Sequence, residues 1–250
     1  DMSVRTCTAW LAVLLLGVGC ERERAGCFTT MGPATEVTIP LEAAVAVLEI
    51  EGRVDISWRP ESSAPQATIR TGEGLVDGIH VHMHDGILSI ADRNTCHWVR
   101  DLSIIPEVVI EGVRPDTVLL LGQGRFSMLD TLTSGNLTVV GDEMAGSTAL
   151  LFAADTLQVR MPNGLGHVQV EGSARRFRSF RSGFGDLDAA GLRAEEAMVH
   201  HAGVGRCDLQ PAAYLYLELA GHGDVHLWGA QQNWNIYTLD GAEGQVLYHP

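Results

Sequence analysis

Glycine pairs of the form Gly-x-Gly recur along this chain at Gly122/Gly124, Gly164/Gly166, Gly183/Gly185, Gly203/Gly205 and Gly221/Gly223, with degenerate copies ending at Gly146 and Gly244. The second glycines, Gly124, Gly146, Gly166, Gly185, Gly205, Gly223 and Gly244, lie 18 to 22 residues apart. After each comes a polar residue, then in most copies an apolar one, a polar one and another apolar one, as in Asp186, Leu187, Asp188 and Ala189. That alternation is the signature of a strand with one buried face. A second strand-like run precedes each pair, for example Asn136 to Val140, Thr156 to Arg160 and Tyr214 to Leu219. The best helix candidate is one short segment, Arg193 to Val199.

A unit of about twenty residues cannot bury its apolar side alone, whereas stacked copies can. The pattern therefore predicts an all-β fold, a right-handed parallel β-helix or solenoid with coils of about 20 residues. Glycine suits the corners on two grounds: it accepts positive φ, and it lets successive coils approach without side-chain collision. The alternative is an antiparallel sandwich with glycine-rich turns.

Composition narrows the function. The 28 glycines and 9 prolines among 250 residues, with 46% hydrophobic content, belong to a folded chain rather than a low-complexity one. The net charge is −14, and every one of the 17 basic residues is arginine. A lysine Schiff base or Walker-type phosphate lysine is excluded, and a polyanion such as nucleic acid is a disfavoured partner. The Gly-x-Gly copies lie between strands, so they do not form a dinucleotide site.

The N-terminus reads as an address. Ala9 to Val18 is apolar but short for a bilayer span, and it precedes a small-residue stretch ending in Cys20. Leu16 to Cys20 resembles a bacterial lipobox, with Gly17 where leucine is usual. The expectation is a signal peptide over 1–20 with lipidation at Cys20, a tether over 21–35 and an exported domain over 36–250. Of the other cysteines, Cys27 and Cys96 could pair; the alternative is that Cys27, Cys96 and Cys207 are each small buried residues.

The segment Ile79 to Ile90, with Asp85-Gly86 between two short strands, and the copies Ser182 to Leu187 (SGFGDL) and Ala220 to Val225 (AGHGDV) resemble the bacterial head GIN domain of auto-transporter adhesins. The resemblance covers residues 36 to 250. It implies a secreted or lipid-anchored protein of the cell envelope with a β-helix fold, and it carries no catalytic residues.

Several clusters invite chemistry. His80, His82 and His84 alternate with apolar residues, so a strand would place three imidazoles on one face, with Asp85 beside them, suited to Zn²⁺, Cu²⁺ or Ni²⁺. If coils stack, Asp186, Arg206 and Asp224 form a column of alternating charge. Asp188, Asp208 and His226 form another, in which like carboxylates would call for a neutralising cation such as Ca²⁺. Arg175, Arg176, Phe177, Arg178, Phe180 and Arg181 make the one basic, aromatic stretch; Arg176, Arg178 and Arg181 could hold acidic glycans or lipid headgroups. Trp228 and Trp234 read either as sugar-stacking residues or, preferably, as a cap on the last coil.

The function expected from these features is a non-enzymatic envelope binding or adhesion module for a cell-surface or matrix ligand, such as a glycan, held at a membrane by its lipid anchor. A polysaccharide lyase or hydrolase using Asp186, Asp188 and Asp208 is one alternative; a purely structural envelope protein is the other.

Overall fold

The computed structural model describes residues 31–95, 105–230 and 233–250. Cys7, Cys20, Cys27 and Cys96, and with them the expected leader and lipidation site, lie outside the described residues.

The described chain is a parallel β-solenoid. Its strands are β1 (Ala34–Pro40), β2 (Val47–Gly52), β3 (Asp55–Arg59), β4 (Gln66–Gly72), β5 (Ile79–His84), β6 (Ile87–Asp92), β7 (Glu107–Glu111), β8 (Thr117–Gly122), β9 (Phe126–Met128) and β10 (Asn136–Gly141). Four long strands follow: β11 (Ser147–Met161), β12 (His167–Arg181), β13 (Leu187–His201) and β14 (Cys207–Leu219). The last coil is made by β15 (Val225–Trp228), β16 (Asn233–Thr238) and β17 (Val246–His249). The segment Arg193 to Val199 lies inside β13, so it is strand and not helix. Its alternating burial decides the matter against a helix-like composition.

Two facing ladders result. Sheet A runs β5, β6, β2, β8, β10, then the second halves of β11 to β14, then β16. Sheet B runs β1, β4, β7, β3, β9, then the first halves of β11 to β14, then β15 and β17. The register follows the repeat: Ser147 opposes His167, Thr156 opposes Arg176, and Cys207 opposes Val225. Alternate residues point into the bore, where Leu157, Phe177, Ala197 and Leu215 of sheet A and Val168, Leu187, Cys207 and Val225 of sheet B form the core. Each large member, fully withdrawn from water, contributes about 1.5–3 kcal/mol. Cys207 is buried with a free thiol, and burial pushes its pKa up to about 11, so it packs as an apolar residue.

The second glycine of each repeat pair is required by close approach; among the first glycines, Gly164 also has positive φ (113°). None of the seven second glycines has positive φ, which corrects the first of the two expected reasons. A Cβ on Gly205 would strike the carbonyl oxygen of Gly185, and one on Gly185 that of Gly166. The same holds from Gly124, which abuts Val54, to Gly244, which abuts Gly223. Positive φ does matter at the β5–β6 turn, where Asp85 (φ 48°) and Gly86 (φ 77°) make the two-residue hairpin expected of an Asp-Gly pair.

The N-terminal third departs from simple winding. β2 and β3 stack directly on β8 and β9, with Val47 opposite Thr117 and Ile56 opposite Phe126. The intervening chain goes to the other side of this coil, where β6 and β7 stack on β2 and β3. β1, β4 and β5 pair antiparallel at that end. Such non-sequential stacking leaves no trace in a spacing pattern.

Candidate functional site

From β11 to β16 the outer face of sheet A is an uninterrupted array. One column runs Arg160, Phe180, His200, Glu218 and Tyr237; its neighbour runs Gln158, Arg178, Met198, Tyr216 and Asn235; the third runs Thr156, Arg176, Glu196, Tyr214 and Asn233. Phe180, Met198, Tyr214 and Tyr237 are exposed on it. The alternation that buries Phe177, Ala197 and Leu215 necessarily turns these residues outward.

The array is cross-linked. Phe180 and His200 stack in parallel with centroids 5.2 Å apart, and Tyr216 meets Tyr237 at 5.4 Å. The Tyr216 hydroxyl donates to Glu218 Oε1 (2.6 Å), and His200 Nδ1 lies 3.0 Å from Glu218 Oε2. These two bonds hold the Glu218 carboxyl below its ordinary range, and the bond to Glu218 raises the Tyr216 phenol. Arg176 lies 3.5 Å from Glu196. The exposed Arg178 stands between the aromatic columns. Aromatic surface, hydroxyls, a carboxylate and guanidinium groups on one plane equip this face to bind a polar ligand by many shallow contacts.

Of the expected basic residues, Arg176 and Arg178 belong to this face, and Arg181 does not. Arg181 is 1% exposed, pointing inward by strand parity, and its guanidinium donates to the carbonyls of Gly185 and, at 3.0 Å, Arg206. In the next coil the fully buried His201 occupies the equivalent place, its Nε2 3.1 Å from the Gly223 carbonyl. Burial first, and the Arg181 charge second, lower the His201 pKa to about 4.

The acidic columns lie on sheet B and are internally satisfied. Asp186 Oδ1 accepts the Arg206 N–H (2.8 Å) and Asp224 Oδ1 the Gln245 N–H (2.9 Å), so these carboxylates brace the next coil's backbone. Asp186, Arg206 and Asp224 stack in one column as expected, but the Arg206 guanidinium turns sideways to Asp208, at 2.6 and 2.5 Å. Trp228 Nε1 donates to the same carboxylate at 3.0 Å. Burial opposes the Asp208 charge, but Arg206 and Trp228 outweigh it and hold the carboxyl below its usual range. Arginine thus supplies positive charge at Asp208, one of the two stacked carboxylates. Asp188 caps the Ala190 N–H (3.1 Å), and His226 pairs with His249 (2.8 Å). Trp228 stacks on His249 at 4.2 Å and stands outside the bore. The capping role falls to Trp234, which packs on the core and faces Tyr248 at 6.2 Å.

His80, His82 and His84 do share the exposed face of the edge strand β5. His82 and His84 are 6.3 Å apart between ring centroids, and His84 Nε2 lies 3.0 Å from Asp85. Among the described residues no three His, Cys, Asp or Glu side chains converge where one ion could sit. A cavity of about 560 Å³ lies between the ends of β1 and β4, and its one carboxylate, Glu36, is paired with Arg70 at 3.1 Å. It offers no carboxylate pair for glycoside hydrolysis.

The sequence reading missed the columns through Glu218, Tyr216 and Tyr237. Their signal was present as the 18- to 20-residue spacing of positions 160, 180, 200, 218 and 237.

Comparison with known proteins follows the same lines. The model of the family described as "Putative auto-transporter adhesin, head GIN domain" matches residues 46–230, a narrower span than the expected 36–250. None of the curated proteins matches the chain. A crystal structure of a "putative adhesin" from Bacteroides fragilis superposes with a TM-score of 0.71 at 17% identity, covering 87% of this chain and 97% of that one. A "putative adhesin" from Parabacteroides distasonis gives 0.59 at 15%, covering 87% and 98%. A "putative lipid binding protein" from the same species gives 0.62 at 16%, covering 88% and 98%. At these identities the likeness is one of fold.

Proposed function

Because this chain belongs to the head GIN domain family, we propose that it is a non-enzymatic binding module of the cell envelope that takes a surface ligand on the outer face of sheet A. The observation that carries the reading is the flat array of Phe180, His200, Arg178, Met198, Tyr216 and Tyr237 repeated coil by coil. Its side chains recur at the coil rise of about 4.8 Å, comparable with the length of one sugar unit. A linear glycan lying along the solenoid axis would meet outward side chains at every coil, aromatic in some and polar or charged in others, each contact weak and the sum appreciable. The adhesin and lipid-binding descriptions of the structural relatives agree with a binding role. A lipid anchor at Cys20 would hold the module at a membrane.

Catalysis is disfavoured by shape and by chemistry. Active sites are concave, whereas this face is a flat ladder, and Asp186, Asp188 and Asp208 are all engaged in hydrogen bonds on sheet B.

The test is an array of glycans and matrix proteins probed with the parent chain and with Arg178→Glu and Tyr216→Ala, both at solvent-facing positions. At least one linear glycan is expected to bind the parent, with affinity reduced roughly tenfold or more in each variant, as when a charged or aromatic contact is lost. Binding unaffected by both variants would contradict the site. Release of shortened or unsaturated sugar products would contradict the non-enzymatic reading.

A further inference from the structure

A second surface feature stands apart from sheet A, on the Gly-x-Gly corner itself. The middle residue of each copy occupies one place in successive coils, giving a column that runs Gln123, Ala145, Leu165, Phe184, Val204, His222 and Glu243. Three consecutive members are large, apolar and out in solvent: Leu165 is 68% exposed, Phe184 66% and Val204 51%. Neighbouring coils set them about 5 Å apart. The glycines on both sides carry no side chains, so the three residues stand clear of the body as a ridge. A chain rarely leaves three strongly exposed large apolar residues in line without a use for them.

The backbone beneath the ridge is already satisfied on the donor side. The Leu165 N–H donates to the Met144 carbonyl (2.8 Å), Phe184 to Gly164 (2.9 Å) and Val204 to Gly183 (3.0 Å). Burying the ridge in an apolar medium therefore strands none of these N–H groups, the cost that keeps most corners out of lipid. The same bonds fix the corner in place, so little ordering is needed on docking.

We infer that the Leu165–Phe184–Val204 ridge is a membrane-contact edge that inserts into the interfacial region of a zwitterionic phospholipid bilayer. Size argues against a second copy of the chain: three side chains fall far short of the roughly 800 Å² per partner that a stable interface buries. A bilayer needs no complementary groove, and a convex apolar ridge suits it. Charge selects the lipid. Asp142 and Glu143 lie before the ridge, His167, Asp186 and Arg206 beside it with Arg206 already paired to Asp208, and the whole chain carries −14, so no basic cluster draws anionic headgroups. Anionic headgroups are repelled and neutral ones are not. The inference is independent of what the outer face of sheet A binds.

The experiment is co-sedimentation of the full chain with phosphatidylcholine vesicles, with and without added phosphatidylglycerol, at low salt. The parent is compared with Leu165→Ser/Phe184→Ser/Val204→Ser and with Phe184→Ser alone. The apolar leader is common to all three proteins, so differences belong to the ridge, and an unchanged thermal midpoint shows that each variant is folded. The triple variant is expected to partition at least about tenfold more weakly, with the single variant between, and phosphatidylglycerol is expected to weaken parent binding. Equal partitioning of parent and variants, no binding by the parent, or tighter binding to phosphatidylglycerol would overturn the inference. So would a dimer in sedimentation equilibrium that the triple variant dissociates.

Discussion

Gly205→Ala is expected to destabilise the fold by about 3 kcal/mol or more, read as a lowered denaturant midpoint in equilibrium unfolding. The added methyl would meet the Gly185 carbonyl oxygen of the coil beneath, and backbone cannot step aside as a flexible side chain can. To make room, the two coils must part, and the hydrogen bond from the Val204 N–H to the Gly183 carbonyl stretches with them. A control separates this cause from loss of glycine's conformational freedom. Gly135 has φ of 91° and nothing within contact of an added methyl, so Gly135→Ala carries only the cost of a left-handed residue, about 1–2 kcal/mol. If the two substitutions cost the same, close packing of the corners does not explain the repeat.

Acid should weaken the protein before its carboxylates titrate, and His201 is the reason. Its pKa is about 4 in the fold against an ordinary 6.5, because burial and the neighbouring Arg181 charge both disfavour the imidazolium. The folded chain therefore keeps this histidine neutral while the unfolded chain takes up a proton. The contribution is complete above pH 6.5 and is lost progressively as pH falls towards 4, amounting to about 3 kcal/mol over the window. Asp208 and Glu218, whose pKa values are lowered in the fold, lose their contributions only below their ordinary values of 3.8 and 4.5. Chemical denaturation between pH 4.5 and 7 is the measurement. His201→Leu, which places in the column the residue type found one coil later at Leu219, should flatten the profile. A profile as steep in the variant as in the parent would refute the assignment.

How much of this was legible beforehand depends on what sets each feature. The coil length, the strand alternation and the Asp85-Gly86 hairpin follow from local periodicity and turn chemistry, which a sequence displays directly. The stacking of β2–β3 on β8–β9 does not, because a contact between Val47 and Thr117 depends on where a long excursion returns. Arg181 stands out in the sequence by its charge, yet as an odd-numbered residue in β12 it shares the inward face with Phe177 and Ser179. The Asp188–Asp208 column was found correctly in register. At Asp208 the positive charge comes from the arginine two residues before it, a choice between rotamers that spacing does not encode. Of the outer face of sheet A, the sequence shows Arg176, Arg178 and Phe180 as one local stretch but not the columns that they enter. Phe180, Tyr216 and Tyr237 come from three separate coils and become a surface only when the coils are laid side by side.

The most direct test of the central claim, that ligand is held on the outer face of sheet A, is oxidative footprinting of the chain with and without a glycan retained on the array. Protection is predicted at Phe180, Met198, Tyr216 and Tyr237, with Trp228 on sheet B and Phe184 on the corner unchanged. Protection at Trp228 with none at Met198 and Tyr216 would contradict the account.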